Sequence, residues 1–599
     1  MLARIFIAVS CVLASLNSAR AAEAQRRPNI LVILTDDQGW GDLSVHGNTN
    51  LSTPNIDSLA RDGALFDRFF VCPVCSPTRA EFLTGRYHPR SGVWSTSAGG
   101  ERMDLDETTI ADVFRAAGYT TAAYGKWHNG SQWPYHPNAR GFADYYGFPS
   151  GHWGDYFSPP LEHNGKIVRG KGFIIDDLTN HAMEFIEANR DREFFCYLPL
   201  NTPHSPMQVP DEFYEKFRDA DLKLRADGRE SAGKKGGKKA GEDIVFTRAA
   251  LAMCENIDWN VGRLLKKLDE LKLADNTIVL YFCDNGPNSA RWNGGMRGRK
   301  GSTDEGGVRS PLLVRWPGHV QPATKVTPIC GAIDLLPTLA ELADVPVKTR
   351  KPLDGTSVAG LLLGTADDWR ERLIFSHWGG KVSVRSQRYR LDAEGRLYDM
   401  LADSEQTKDV ADEQRDTAAK LIEAVDRWRS DVLSELNTDD ERPFPVGYRD
   451  FPITHLPARD GVEHGHVVRS AKAPNCSFFT GWTNTSDRIT WHVEVATPGR
   501  YEAVIHYTCA PANVGATVEV SFLDAACDGK VTEAHDPPLY GKEHDRADRG
   551  SESFVKDFKP WRLGEVTLPK GRGQLTLRAT DVPGPGVIDV RGVTLTLLE

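Results

Sequence analysis

The chain has 599 residues, of which 40% are hydrophobic and 26% charged, and its formal net charge is -10. That length exceeds what one hydrophobic core serves, so two or more domains are expected. The negative charge is spread along the sequence with no basic stripe, which excludes nucleic acid as a partner, and any attraction for an anionic ligand has to be local.

Residues 1–24 read as an export signal, because Arg4 precedes the apolar run from Ile5 to Leu16 and small residues then end in Ala19-Arg20-Ala21, an A-x-A cleavage pattern. An uncleaved N-terminal anchor is the alternative. No later stretch approaches the roughly 20 apolar residues of a transmembrane helix, so the mature chain is expected outside the cytoplasm, periplasmic or secreted. Of ten cysteines, Cys11 leaves with the signal and an odd number remains. Cys72 and Cys75 have C-x-x-C spacing, but no second ligand pair follows at zinc-site distance. An oxidising compartment allows disulfides among the others, and Cys476, Cys509 and Cys527 could supply one.

The run Pro28 to Leu34 is continuously apolar and ends in Thr35-Asp36-Asp37, as expected of a strand buried on both faces of a mainly parallel sheet, with its carboxylates at the C-terminal edge where α/β sheets bind ligands. Strand patterns recur at Tyr119 to Tyr124, Phe194 to Leu200 and Thr277 to Cys283. Helical spacing appears at Ile110 to Ala117, Asp177 to Asn189 and Phe246 to Leu271. This alternation predicts an α/β domain over 27–365. The Gly- and Lys-rich stretch Arg229 to Asp243 reads as a surface loop. Short strands at Leu373 to Trp378, Lys381 to Arg385 and Tyr389 to Leu391, then a helix from Ala411 to Leu433, predict a small α+β subdomain over 366–450. A Pro-rich linker from Arg442 to Pro457 precedes alternating segments, Ile489 to Val495, Arg500 to Tyr507, Ala516 to Leu523, Gly573 to Ala579 and Val587 to Leu598, which predict a β-sandwich over 456–599.

Chemistry concentrates in Cys75-Ser76-Pro77-Thr78-Arg79-Ala80-Glu81-Phe82-Leu83-Thr84-Gly85, a nucleophile at the start of a helix with Pro77 near its first turn. Free amides there attract an anion. Asp36, Asp37, Asp284 and Asn285 follow two predicted strands and offer only oxygen. Each pair alone reads as a turn or cap, but together they suit a hard cation. Arg79, Lys126, His128, His204 and Lys300 form a candidate cationic set.

At Cys75 to Gly85 the chain resembles the type I, formylglycine-dependent sulfatases of the alkaline-phosphatase-like superfamily, whose signature Cys-x-Pro-x-Arg-x-x-x-Leu-Thr-Gly it matches without a gap. Pro28-Asn29-Ile30, Asp36 to Asp42, Gly125-Lys126-Trp127-His128, Pro203-His204, Asp284-Asn285-Gly286, Arg299-Lys300-Gly301 and Glu305 to Pro311 follow in the family's order, so the resemblance covers about residues 27–435. Asn129 and Ser310 depart from the family pattern without removing a catalytic group. The resemblance implies a mainly parallel mixed sheet sandwiched by helices. It also implies that a maturation enzyme oxidises Cys75 to formylglycine (3-oxoalanine), which is hydrated to a diol. Calcium, with magnesium the lesser possibility, would be held by Asp36, Asp37, Cys75, Asp284 and Asn285.

By the same resemblance Arg79 and Lys126 hold the diol while His204 and Lys300 bind the sulfate oxygens near the leaving group. Asp284 takes a proton from the attacking hydroxyl, His204 or Lys300 protonates the leaving oxygen, and His128 removes the second hydroxyl proton. Related phosphatases and phosphodiesterases place Ser or Thr at position 75 and Asp-His at 284–285. A formylglycine-dependent phosphonate or phosphate monoester hydrolase, or a glycan-binding protein that has lost activity, are the remaining alternatives. The expected substrate is a sulfated carbohydrate, ahead of an aryl sulfate. Aromatic residues in Trp133 to His136 and Gly151 to Phe157, with Arg291 and Trp292, would stack on sugar or pack loops. The tail is similar to jelly-roll carbohydrate-binding modules, with a purely structural role as the alternative.

Overall fold

A computed structural model describes residues 26–226, 242–366 and 369–598. The expected export signal and most of the Gly- and Lys-rich stretch lie outside them. No described helix is long and apolar enough to cross a membrane.

The apolar run after Pro28 forms strand Asn29–Thr35, buried at every position. It pairs in parallel with Phe194–Pro199 on one side and Thr277–Cys283 on the other. Thr120–Lys126 and Asp144–Phe148 continue the parallel array, and a ten-stranded sheet is completed through antiparallel pairings beyond Asp144–Phe148 on one side and through antiparallel Leu312–Arg315 on the other. Because side chains alternate across a strand, Ile30, Val32 and Leu34 enter one core and Leu31 and Ile33 the other. Full burial of such a side chain contributes about 1.5–3 kcal/mol. The first core is closed by helices Cys75–Thr84, Ile110–Ala116 and Leu335–Leu342, the second by Pro54–Arg61, Ile174–Ala188 and Ile244–Glu270. The protein therefore has the alkaline-phosphatase-like architecture, a mixed sheet between helices.

Two details bring the strand ends together. Gly125 has φ 140°, and a Cβ there would lie 2.0 Å from the Pro199 carbonyl oxygen, so only glycine permits this approach beside Lys126. Thr35 pairs with Cys283, which places Asp36 and Asp284 next to one another as both strands end.

A four-stranded antiparallel sheet, Ile374–Trp378, Lys381–Arg385, Tyr389–Leu391 and Leu397–Asp399, packs against helix Arg415–Asp431. The C-terminal region holds two six-stranded sheets around a core that includes Trp491, Tyr501, Val520 and Leu577. The Pro-rich segment 442–457 is not a free linker. Phe444–Val446 pairs in parallel with Arg488–Val495, and Ile453–Pro457 pairs antiparallel with Asp589–Leu597. Proline is tolerated there because edge positions need fewer donors. Cys476, Cys509 and Cys527, which could have supplied a disulfide, are all free thiols. Cys476 instead meets the catalytic domain, its Sγ 3.1 Å from the His152 carbonyl oxygen.

Candidate active site

The parallel strands deliver their C-terminal residues to one place. Asp36 and Asp37 follow the central strand, Asp284 and Asn285 follow Thr277–Cys283, Lys126 ends its strand with His128 just beyond, and His204 lies five residues after Phe194–Pro199. Cys75 is the first residue of helix Cys75–Thr84, whose ten residues are all buried. Its helix N-terminus faces the sheet edge, and a carboxylate oxygen of Asp36, one of Asp284 and Cys75 Sγ all lie within 4.8 Å of one another. The structure thus brings together all ten residues singled out in the sequence, Lys300 arriving from a loop whose Gly301 N–H donates to the Pro73 carbonyl at 2.7 Å.

Buried charges must be paired, and here they are. Arg79 donates to the Lys126 carbonyl and to Asp284 Oδ2, each at 2.8 Å. Lys126 Nζ lies 2.6 Å from Asp36 Oδ2, and Lys300 Nζ 2.6 Å from Asp37 Oδ1. His204 Nε2 is 3.7 Å from Asp37 Oδ2. Burial pushes the Asp36 carboxyl up, but Lys126, His204, Arg79 and Lys300 outweigh it and hold it well below the carboxylate range. Asp37 is lowered in the same way, chiefly by Lys300 against its burial. Asp284 goes the other way. Burial and the neighbouring Asp36 raise it to about 7, against the pull of Arg79 and Lys126. Burial likewise opposes the Lys300 ammonium, and Asp37 restores it to well above the lysine range. Burial raises the Cys75 thiol, with Lys126 and Lys300 opposing.

The pairing is incomplete at three points. Asp36 Oδ1, Asp37 Oδ2 and Asn285 Oδ1 are buried without a hydrogen-bond partner. Orphaned buried acceptors are costly, about 1–3 kcal/mol each. Three unpartnered oxygens, from two carboxylates and a carboxamide, beside a third carboxylate, Asp284, are what a hard divalent cation requires, so the donor set fits one. Asp37 has φ 66° and His128 φ 63°, left-handed conformations uncommon in residues other than glycine and often found at functional sites.

His128 is placed for proton transfer. Its Nε2 lies 2.8 Å from the Thr96 carbonyl, which can only accept, so the proton sits on Nε2. Nδ1 is then a bare acceptor, buried and unpartnered. Burial first, then Lys126, pushes the ring well below the usual histidine range, keeping it neutral.

Two further groups lie in stretches singled out in the sequence, but their contacts are not legible from spacing. Thr78 Oγ1 donates to the Asp284 carbonyl at 2.6 Å, fixing helix to strand end. His152 stacks on His204, ring centroids 5.7 Å apart. Most neighbouring aromatics instead pack loops. Trp133 stacks on Phe451 at 5.4 Å, Trp153 on Phe148 at 5.3 Å, and Arg291 holds Asp42 with Nη2 to Oδ2 at 2.7 Å.

These features are those of an alkaline-phosphatase-like fold with a cysteine at a helix N-terminus beside a cluster of buried carboxylate and amide oxygens. The Sulfatase family profile matches residues 28–345, and the profile described as N-sulphoglucosamine sulphohydrolase, C-terminal, matches residues 300–430. The chain belongs to the sulfatase family and is a sulfuric ester hydrolase. It is similar to N-acetylgalactosamine-6-sulfatase of Mus musculus, 30% identical over 60% of this chain and 71% of that one. Arylsulfatase A of Homo sapiens is 32% identical over 61% of this chain and 74% of its own. Among solved structures, Ps i-CgsB superposes with TM-score 0.60 at 29% identity, covering 67% of this chain and 93% of that one. It has also been solved in complex with k-i-k-neocarrahexaose.

Proposed function

We propose that this sulfatase removes sulfate from a sulfated carbohydrate, using formylglycine made from Cys75 by a maturation enzyme, and that it works after export. The observation that carries the reading is the set of three orphaned oxygens on Asp36, Asp37 and Asn285 beside Cys75. The carbohydrate class is supported by relatives named for N-acetylgalactosamine 6-sulfate and by the carrageenan oligosaccharide bound to Ps i-CgsB. The export reading rests on the signal pattern of residues 1–24.

Asp36, Asp37, Asp284 and Asn285, with the modified residue 75, would hold calcium, or in second place magnesium. Such a cation supplies charge that stabilises a sulfuryl group, and the hydrated aldehyde supplies one hydroxyl to attack sulfur and a second to release it. Arg79 and Lys126 fix the position of residue 75. Asp284, with its carboxyl near neutrality, takes a proton from the attacking hydroxyl. Lys300 and His204 bind the sulfate oxygens on the departing side, where either can donate a proton to the leaving oxygen. His128, neutral with Nδ1 bare, accepts the proton of the second hydroxyl. Preorganised cations at developing negative charge supply most of the stabilisation in such chemistry.

The test is sulfate release, followed by ion chromatography, from galactose 6-sulfate, N-acetylgalactosamine 6-sulfate, carrageenan oligosaccharides and 4-nitrophenyl sulfate. The enzyme is the full chain co-expressed with a formylglycine-generating enzyme. Release from at least one sugar, lost in Lys126→Ala, is expected. No release from any substrate contradicts the reading.

A further inference from the structure

Between strands Ala525–Lys530 and Lys559–Leu568 the C-terminal sandwich sends out residues 541–553, which lie against the catalytic domain next to His204. The docking is built from both sides. Gln208 Nε2 donates to the Gly541 carbonyl at 2.8 Å and to Asp545 Oδ1 at 2.9 Å. Arg549 Nη1 donates to the Gly154 carbonyl at 2.9 Å, and Arg546 Nη2 to the Val209 carbonyl at 2.8 Å. His544 Nδ1 lies 3.1 Å from Asp155 Oδ1.

Near the end of this segment lies Glu552. Its Oε1 accepts a hydrogen bond from Ser205 Oγ at 2.6 Å, on the residue that follows His204. Its Oε2 is buried and has no hydrogen-bond partner among the described residues. Burial raises the Glu552 carboxyl, while His204 and then Lys300 pull it down, so the carboxylate stands in the field of the two groups assigned to the leaving-group side. A second loop of the same sandwich brings Asn475 beside Gly151 and His152. Its Oδ1 is also buried and unpartnered, and its Nδ2 lies 3.4 Å from Nδ1 of His152, the ring stacked on His204. A Cβ on Gly151 would lie 2.5 Å from Asn475 Nδ2 and 2.6 Å from His128 Nε2. Gly151 thus lies between the carboxamide and the His128 ring, and a larger residue there would have to displace one of them.

We propose that the C-terminal sandwich forms one wall of the alcohol-binding side of the pocket, where Glu552 Oε2 and Asn475 Oδ1 accept hydrogen bonds from hydroxyl or amide N–H groups flanking the sulfated carbon of the sugar. This rests on the sulfatase reading above and deepens it. Two acceptors, one of them anionic, favour neutral, donor-rich neighbours and oppose a second sulfate or carboxylate facing Glu552. The sandwich then acts as part of the active site and not as a separate sugar-binding module.

The test compares Glu552→Gln with wild type in the full, matured chain, on the best sugar of the panel and on 4-nitrophenyl sulfate, which has no hydroxyl to offer. A site that loses a hydrogen-bond partner discriminates strongly against the substrate needing it. The loss of kcat/KM on the sugar is expected to exceed that on the aryl ester by tenfold or more, and the preference for singly over doubly sulfated sugar is expected to fall. Equal losses on both substrates, or none on either, overturn the proposal. Should Glu552→Gln lower the melting temperature, Asn475→Ala on its separate loop carries the same comparison with the same outcomes. A wild-type enzyme that cleaves the aryl ester but no sugar overturns the wall while leaving the sulfatase chemistry. One that cleaves neither sinks the reading beneath it.

Discussion

The buried helix Cys75–Thr84 contributes to two groups of three side chains able to hold an ion: Asp36, Cys75 and Asp284 at its start, and Cys72, Glu81 and His88 farther along. Both are buried, yet only the first contains a carboxylate held ionised. In the first, cations hold Asp36 ionised and three nearby oxygens lack partners. In the second, burial raises the Cys72 thiol, raises Glu81 to about 8 and lowers His88 to about 4, so all three are neutral at pH 7. Glu81 Oε1 accepts from the His88 N–H at 3.2 Å, and His88 Nδ1 lies 2.7 Å from the Val93 carbonyl. None of the three has a side-chain nitrogen or oxygen that is buried and unpartnered among the described residues. Ligand types at the right distance do not by themselves favour a cation; ionised carboxylates with unspent lone pairs do.

The sharpest way to break this comparison is to remove the guanidinium between the two carboxylate strands. Arg79→Ala leaves Asp36 and Asp284 facing each other without their shared cation. It should lower kcat/KM for sulfate release by about a thousandfold or more and destabilise the fold by about 3–5 kcal/mol, read by steady-state kinetics and by denaturant unfolding. Activity retained within tenfold would show that Arg79 only packs.

Calcium sharpens the contrast next. In chelator-treated enzyme, calcium should raise the melting temperature, and Asp36→Asn should abolish the shift while Glu81→Gln leaves it in place. The pH dependence has a definite sign. Calcium uptake must displace the proton that Asp284 holds below about 7. Affinity measured by titration calorimetry should therefore weaken about tenfold per pH unit below 7 and level off above it. A calcium shift that survives Asp36→Asn, or an affinity that does not fall on acidification, would place the ion elsewhere.

The smallest effect belongs to the neutral trio. Glu81 holds its proton up to about 8 when folded, against 4.5 as its ordinary value, so its stabilising contribution is complete below pH 4.5 and is lost as pH rises toward 8. Glu81→Gln should remove that slope, roughly 1 kcal/mol per pH unit, in thermal melts between pH 5 and 9. An unchanged slope would mean that Glu81 is ionised in the fold.

The site was more legible than the frame around it. The strands ending at Thr35 and Cys283 are largely apolar runs because both faces are buried, and the charged residues follow where the sheet ends. Strands Asp144–Phe148, Pro160–His163 and Lys166–Arg169 escaped notice, being short and mostly lacking alternation. The prolines of 442–457 suggested a linker, because an edge strand that accepts proline looks locally like a turn. Glu552 and Asn475 gave no signal at all. They lie 348 and 271 residues beyond His204 in sequence numbering, and only the packing of the sandwich onto the catalytic domain brings them back to it.

The central claim is that residue 75 is no longer cysteine in the working enzyme. Mass spectrometry of its tryptic peptide, from protein matured in a host with the formylglycine-generating enzyme, tests it directly. The account predicts the mass of an aldehyde in place of a thiol, in a fraction that tracks sulfate release across preparations, and no release from Cys75→Ala. An unmodified Cys75 peptide in fully active enzyme, with Cys75→Ala equally active, would contradict it.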